Sequence, residues 1–169
     1  MNLSARNLLD PRLADKIAAL LRIHDVGAEL LELEVTETAI MTEPVRSRAM
    51  LTRLHEAGIR VAIDDFGVGY TSLAQLKTLP VTELKIDHSF VTRMDTDKGS
   101  AHIVASIIDL SHNLGMTAVA EGVETDAVLT ALEHASCDVA QGYHICRPVP
   151  AAQLITWYRN HHRGASARR

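Results

Sequence analysis

Acidic and amide side chains recur in this sequence where short apolar runs end. They are Asn2, Glu34, Glu37, Asp64, Asp65, Asp87, Glu121, Glu124 and Gln141, with one lysine, Lys85, among them. In β/α folds the carboxyl ends of parallel strands meet at one rim, and active sites lie beyond that rim. Carboxylates held close together need a compensating cation. Oxygen ligands without histidine or cysteine favour Mg²⁺ or Mn²⁺, so the pattern predicts a divalent-metal site.

Two features of this set indicate the kind of chemistry. The adjacent pair Asp64 and Asp65 is typical of two metal ions that share a carboxylate, an arrangement used in phosphoryl hydrolysis. Lys85 lies among acids and should remain cationic, so it could orient an attacking water or neutralise developing charge. The prediction is therefore a two-metal hydrolytic site.

Gly67 and Gly69 follow one of these strands and precede a predicted helix. Their amides could reach a substrate phosphate, as in other glycine-containing loops at helix starts. A tight structural turn is the alternative, because the spacing matches neither a dinucleotide fingerprint nor a P-loop.

Composition limits the classes of protein that remain. The chain of 169 residues has 17 basic and 21 acidic residues, a balance of −4, which excludes binding to a nucleic-acid polymer through bulk charge. No apolar run approaches the roughly 18–20 residues of a membrane span. Cys137 and Cys146 are interpreted as reduced structural thiols, and the nine histidines form no metal motif. A cytoplasmic location is expected.

Strand and helix patterns alternate along the chain. Strands are predicted at 2–4, 30–36, 59–63, 81–86, 116–120 and 137–140, with helices between them that begin at 10 or span 44–57, 72–79, 102–114 and 125–135, and a last helix at 151–159. Strict alternation implies parallel strands. A closed eight-stranded barrel usually needs about 250 residues, so length favours an open doubly wound sheet. The charged rim instead favours part of a barrel.

The ordered motifs resemble the C-terminal two-thirds of the EAL domain family, the bacterial phosphodiesterases that linearise cyclic di-GMP. The matching segments are Asn-Leu-Ser-Ala-Arg at residue 2, Leu-Glu-Val-Thr-Glu at 33, Ile-Asp-Asp-Phe-Gly-Val-Gly-Tyr at 63, Leu-Lys-Ile-Asp at 84, Ala-Glu-Gly-Val-Glu at 120 and Gln-Gly-Tyr at 141. Val68 stands where the family usually has threonine. The fold that the resemblance implies is an incomplete TIM-like (β/α) barrel of about six β/α units, over residues 1–160, with a basic flexible tail at 161–169.

The resemblance also implies roles for individual residues. Asn2, Glu34 and Asp64 would hold one Mg²⁺ or Mn²⁺ ion, and Asp65 and Glu121 the second, with Asp64 bridging the two. Lys85 would hold the nucleophilic water. Glu37 and Glu124 would anchor the loop after Asp65, through which a homodimer is expected. Asp87 and Gln141, with Gly67 and Gly69, would contact substrate.

The Glu-Ala-Leu strand that names the family is absent from this sequence. In the family it carries a metal-binding glutamate and, two residues past the leucine, an arginine that holds a substrate phosphate. Three interpretations follow: a phosphodiesterase that yields linear pGpG, a catalytically inactive module that binds cyclic di-GMP or another protein, and a fragment of a longer protein.

Overall fold

The computed structural model describes residues 1–69 and 72–166, with the backbone alone described at 161–166. Its six strands form one parallel sheet in the order β1-β2-β3-β4-β5-β6. The strands are β1 (Asn2–Leu3), β2 (Glu32–Thr36), β3 (Arg60–Phe66), β4 (Glu83–Ile86), β5 (Thr117–Glu121) and β6 (Val139–Gln141). Every strand pairs with the next one in sequence, as in an incomplete α/β barrel.

Helices connect the strands and cover the outside of the sheet. They are α1 (Ala5–Leu8), α2 (Leu13–Ile23), α3 (Glu37–Thr42), α4 (Pro44–Glu56), α5 (Leu73–Leu76), α6 (His88–Val91), α7 (Lys98–Asn113), α8 (Asp126–His134) and α9 (Ala151–Ser166), with a 3-10 turn at Ala28–Leu30. Local sequence fixes several helix starts. Thr36 accepts a hydrogen bond from the Ala39 amide and caps α3, while Pro44 occupies the first turn of α4.

The central strands form the core. Leu33, Val35, Ile63, Leu84 and Ile86 have no exposed surface, as do several helical side chains packed over them. All four residues of β4 are buried, which is typical of a parallel strand covered on both faces. Because β4 carries Lys85, this burial places an ammonium group inside the protein, where carboxylates must pair with it.

The predicted six-stranded parallel architecture is confirmed, while several element bounds differ. Helix α7 begins at Lys98 rather than 102, because Asp97 accepts hydrogen bonds from the amides of Gly99 and Ser100. Helix α5 covers less than the predicted 72–79 and ends at Leu76. Helix α9 continues into the predicted tail as far as Ser166.

Some predictions fall on residues outside the described ranges. Tyr70 and Thr71 of the glycine-containing loop lie there, as do residues 167–169 of the tail. Among the described residues, no helix is long and apolar enough to cross a membrane.

Candidate metal centre

The buried ammonium of Lys85 lies at the centre of three carboxylates from three strands. Its Nζ atom is 2.6 Å from Glu121 Oε1, 2.8 Å from Glu34 Oε1 and 3.3 Å from Asp64 Oδ1. Strands β2, β3, β4 and β5 are neighbours in the sheet, so these side chains meet inside its arc. The sequence-predicted rim is therefore a real cluster of charges.

The charges in this cluster do not balance. Burial lowers the pKa of Lys85, but its hydrogen bonds with Glu121 and Glu34 outweigh burial, so the pKa is raised above its ordinary value and the group stays cationic. Asp64 Oδ1 is buried and, despite its 3.3 Å ion-pair distance from Lys85, makes no hydrogen bond with the described part of the chain. One ammonium thus serves three carboxylates, and one oxygen remains unsatisfied.

Asp65 adds a further carboxylate through an unusual backbone conformation. Its φ of 52° lies in the left-handed region, at a register irregularity between Ile63 and Phe66 in the pairing of β3 with β4. Successive side chains of a regular strand point to opposite faces, whereas this distortion lets Asp64 and Asp65 face the same site. Strained residues of this kind concentrate at functional sites.

The acids around Asp65 perturb one another. Burial raises the pKa of Asp65, and the nearby charges of Asp64 and Asp87 raise it further. Burial also opposes ionisation of Asp87, yet hydrogen bonds from Ser89 hold its pKa below the ordinary value. The Ser89 amide lies 2.9 Å from Asp87 Oδ1. The raised pKa of Asp65 therefore reflects how closely these carboxyl groups are held together.

These residues fit a divalent metal ion. One carboxylate oxygen from each of Asp64, Asp65 and Glu121 lies within 4.8 Å of the others. Asp64 also carries the buried oxygen that makes no hydrogen bond with a described residue. Hard oxygen donors of this kind suit Mg²⁺ or Mn²⁺.

Glu37 holds the loop that follows Asp65. The amides of Gly67 and Gly69 donate hydrogen bonds to Glu37 Oε2, at 3.2 Å and 2.9 Å. Gly69 has no room for a side chain, since a Cβ atom there would lie 2.6 Å from the same oxygen. Both amides donate to a carboxylate in this structure, and the expectation that they reach a substrate phosphate stays a prediction.

The other predicted residues lie around this centre. Asn2 pairs in register with Glu34, which places it at the sheet edge beside the cluster. Gln141 pairs with Glu121 and lines a cavity of about 230 Å³, together with Glu121 and Glu124. Glu124 makes no hydrogen bond or ion pair with any described residue, so its predicted role as an anchor of the loop after Asp65 stays a prediction.

Two side chains of this cavity, His88 and Tyr143, were not among the predicted site residues. Arg147 stacks over the Tyr143 ring, 4.4 Å from its centroid. His88 directly follows Asp87, a predicted site residue, so its position in the sequence could have placed it near the site.

The arrangement described so far defines a β/α-barrel protein with an acidic, metal-compatible centre at the carboxyl ends of its strands. The EAL domain family model matches residues 1–148. The chain therefore belongs to the EAL domain family.

Curated relatives share about two-fifths of their residues with this chain over the matched region. The bifunctional diguanylate cyclase/cyclic di-GMP phosphodiesterase MucR of Pseudomonas aeruginosa is 41% identical, over 92% of this chain and 23% of the relative. The cyclic di-GMP phosphodiesterase NbdA of the same organism is 40% identical, over 94% and 20%. The chain thus spans about a fifth of the length of these relatives.

Solved structures show the same fold. The PaMucR phosphodiesterase in complex with c-di-GMP superposes with a TM-score of 0.87 at 41% identity, over 90% of this chain and 62% of that one. The EAL domain of Mycobacterium smegmatis DcpA gives a TM-score of 0.86 at 36% identity, over 92% and 70%.

Proposed function

We propose that this chain is a metal-dependent phosphodiesterase that hydrolyses cyclic di-GMP to linear pGpG. The observation that carries the proposal is the unbalanced cluster of Glu34, Asp64 and Glu121 around Lys85. Relatives named as cyclic di-GMP phosphodiesterases and the c-di-GMP complex of PaMucR support the substrate class.

Two Mg²⁺ or Mn²⁺ ions would be held by the carboxylates and by Asn2. Asn2, Glu34 and Asp64 would hold one ion, and Asp65 and Glu121 the other, with Asp64 shared. When bound, such ions activate water and stabilise charge on the oxygens of the phosphoryl group. In the structure Glu34 Oε1 accepts a hydrogen bond from Lys85 Nζ at 2.8 Å, so this contact would loosen if Glu34 became a metal ligand.

Lys85 would position the attacking water. Its ammonium is buried and remains protonated, so it can donate hydrogen bonds but cannot accept the proton of the water. The acceptor would be one of the neighbouring carboxylates. Asp87, which follows β4, and Gln141, at the end of β6, would contact the nucleotide.

The direct experiment is incubation of the purified chain with cyclic di-GMP and Mn²⁺, with chromatographic detection of pGpG. Matched reactions contain excess chelator, or the variants Glu121→Gln and Asp64→Asn. We expect pGpG with Mn²⁺ and none with chelator. Product formation that neither chelator nor these substitutions reduce would contradict the proposal.

A non-catalytic module that binds cyclic di-GMP is the second candidate. The observation that favours it is the position of Asn2, which lies on a two-residue edge strand and is exposed. A metal ligand at such an edge has little support from packing. Tight binding of cyclic di-GMP without any pGpG would identify this alternative.

We also propose that the chain forms a homodimer through the loop after Asp65. Next to that loop, α3, α4 and α5 enclose an apolar groove of about 600 Å³. Val45 at the groove and Leu73 on α5 are 84% and 63% exposed, which is unusual for large apolar side chains on adjoining helices. Leu73→Glu should shift the sedimentation coefficient to that of a monomer, whereas Leu20→Glu, on α2, should not.

A cytoplasmic location is proposed as well. Both described cysteines, Cys137 and Cys146, are free thiols, which fits a reducing compartment. Fractionation of cells that express the chain, with detection by antibody, tests this location.

A further inference from the structure

The cavity beside the metal centre has preformed walls. The loop after β5 and the loop after β6 are joined by hydrogen bonds from the Val123 amide to the Gln141 carbonyl, 3.1 Å, and from the His144 amide to the Val123 carbonyl, 3.0 Å. A Cβ atom at Gly142 would overlap the backbone of Val123, so the two loops are in direct contact. The cavity is therefore a fixed feature of the fold.

His88 forms the opposite wall and is pressed against the first loop. Gly122 has a φ of 75°, and a Cβ atom there would lie 2.8 Å from His88 Cβ. The base of the histidine side chain is thus fixed, while the side chain as a whole is 69% exposed. Its described polar contact is a 3.4 Å approach of Nδ1 to Asp87 Oδ2, which leaves Nε2 directed away from that partner.

The chemistry of the cavity gives His88 a distinct position. Glu121 and Glu124 line it with carboxylates, Gln141 with an amide and Tyr143 with a phenol ring. His88 is the imidazole in this wall, and it contributes no hydrogen bond from its ring to the fold among the described residues. Its Cβ atom is held against Gly122, its ring is solvent-accessible, and its Nε2 atom makes no hydrogen bond with a described residue, so this atom is available to a ligand.

We propose that His88 is a ligand-contacting residue whose Nε2 atom makes a hydrogen bond to the cyclic dinucleotide at the mouth of the metal centre. This inference rests on the proposed function, since it takes cyclic di-GMP as the ligand. His88 then contributes to affinity and selectivity for the nucleotide rather than to bond cleavage. Neither the resemblance nor the relatives' names assign this residue.

The test is calorimetric titration of cyclic di-GMP into the full chain in the presence of Ca²⁺, which takes the same oxygen ligands. His88→Ala should weaken binding by about tenfold or more, the usual loss when a hydrogen bond to a charged ligand is removed. His88→Gln retains an amide near the Nε2 position and should restore most of the affinity. His144→Ala is the matched control, because His144 lies on the neighbouring loop but outside the cavity lining.

The outcomes separate this inference from the proposed function. Weaker binding by His88→Ala, with the control unchanged and Mn²⁺ binding intact, supports it. Equal binding by wild type and His88→Ala overturns it and leaves the proposed function standing. Failure of the wild type to bind cyclic di-GMP overturns both. Thermal melting of each variant verifies folding, and the exposure of His88 predicts little change.

Discussion

The two rims of the sheet both carry charged residues, but they satisfy those charges differently. At the amino ends of the strands, Arg60 lies 3.0 Å from Glu32 and also contacts Glu83. Asp138 Oδ2 there accepts a hydrogen bond from the Ala118 amide at 2.8 Å and lies 2.9 Å from His112 Nε2. Each of these acids has a partner. At the carboxyl ends, one ammonium serves Glu34, Asp64 and Glu121.

The difference separates structural charges from functional ones. A paired acid needs nothing more, whereas an acid with a buried, unsatisfied oxygen stores unfavourable energy that a cation can relieve. Asp64 has such an oxygen. Conventional β/α proteins use the carboxyl rim for chemistry and the amino rim for stability, and the charge balance of this chain follows that division.

The largest expected effect on the rate comes from removing the cation of the carboxyl rim, Lys85, and the matched change at the amino rim is removal of Arg60. Lys85→Met should lower the rate of pGpG formation by about 100- to 1,000-fold, the usual cost of losing a preorganised donor at a reacting centre. Arg60→Met should leave the rate within about twofold, because it alters only the amino rim. Initial rates with Mn²⁺ measure both. Equal losses for the two variants would remove the distinction between the rims.

The next largest effect on the rate is expected from the hydrogen bonds that join the Gly67 and Gly69 amides to Glu37. Gly69→Ala would place a Cβ atom 2.6 Å from Glu37 Oε2 and push the loop away from its anchor. A displacement near 1 Å at an active site can cost about 100-fold in rate, so a reduction of about 10- to 100-fold is expected. Gly99→Ala is the matched control, because its nearest described contact is 3.4 Å from the built Cβ. Unchanged turnover by Gly69→Ala would mean that the contact of this loop with Glu37 does not position the metal centre.

Arg60→Met should affect stability instead. Glu83 is 5% exposed, so loss of Arg60 leaves a buried carboxylate without its ion pair. The expected loss in free energy of unfolding is about 1–3 kcal/mol, the usual cost of an unsatisfied buried group. Urea unfolding followed by circular dichroism measures it. The double variant Arg60→Met with Glu83→Gln should recover part of the loss; no recovery would assign the effect to packing of the arginine stem.

The smallest effect concerns pH at the amino rim. The hydrogen bond from the Ala118 amide, with His112 nearby, holds the pKa of Asp138 below its ordinary value. Its contribution to stability is therefore full above the ordinary aspartate pKa of about 3.9 and is lost as the pH falls through the lower folded value. Asp138 is half-exposed, so we expect less than about 1 kcal/mol. The stability gap between wild type and Asp138→Asn should shrink from pH 7 to pH 3, and a gap that widens would reverse the assignment.

The sequence predicted the carboxyl rim well for a physical reason. In a parallel sheet every strand ends at the same edge, so Glu34, Asp64 and Lys85 could be placed together from strand ends alone. The amino rim was not predicted. Its pairs depend on which residues face each other across strand starts, and strand register sets that, as in the contact of Arg60 with Glu83.

The loop after Asp65 shows a second limit. The glycines were apparent in the sequence, but their partner was not, because Glu37 is about thirty residues away and is brought close only by the pairing of β2 with β3. A loop whose amides donate hydrogen bonds to a carboxylate has the same glycine-containing sequence as a loop whose amides bind a phosphate. Distinguishing the two needs the position of the acid as well as the glycines.

The charge imbalance itself is tested most directly by calorimetric titration of Mn²⁺ into the purified chain. We predict binding by the wild type, a loss of at least about tenfold in affinity for Asp64→Asn, and no change for Glu32→Gln at the amino rim. Absence of Mn²⁺ binding, or equal weakening by the two substitutions, would contradict the account.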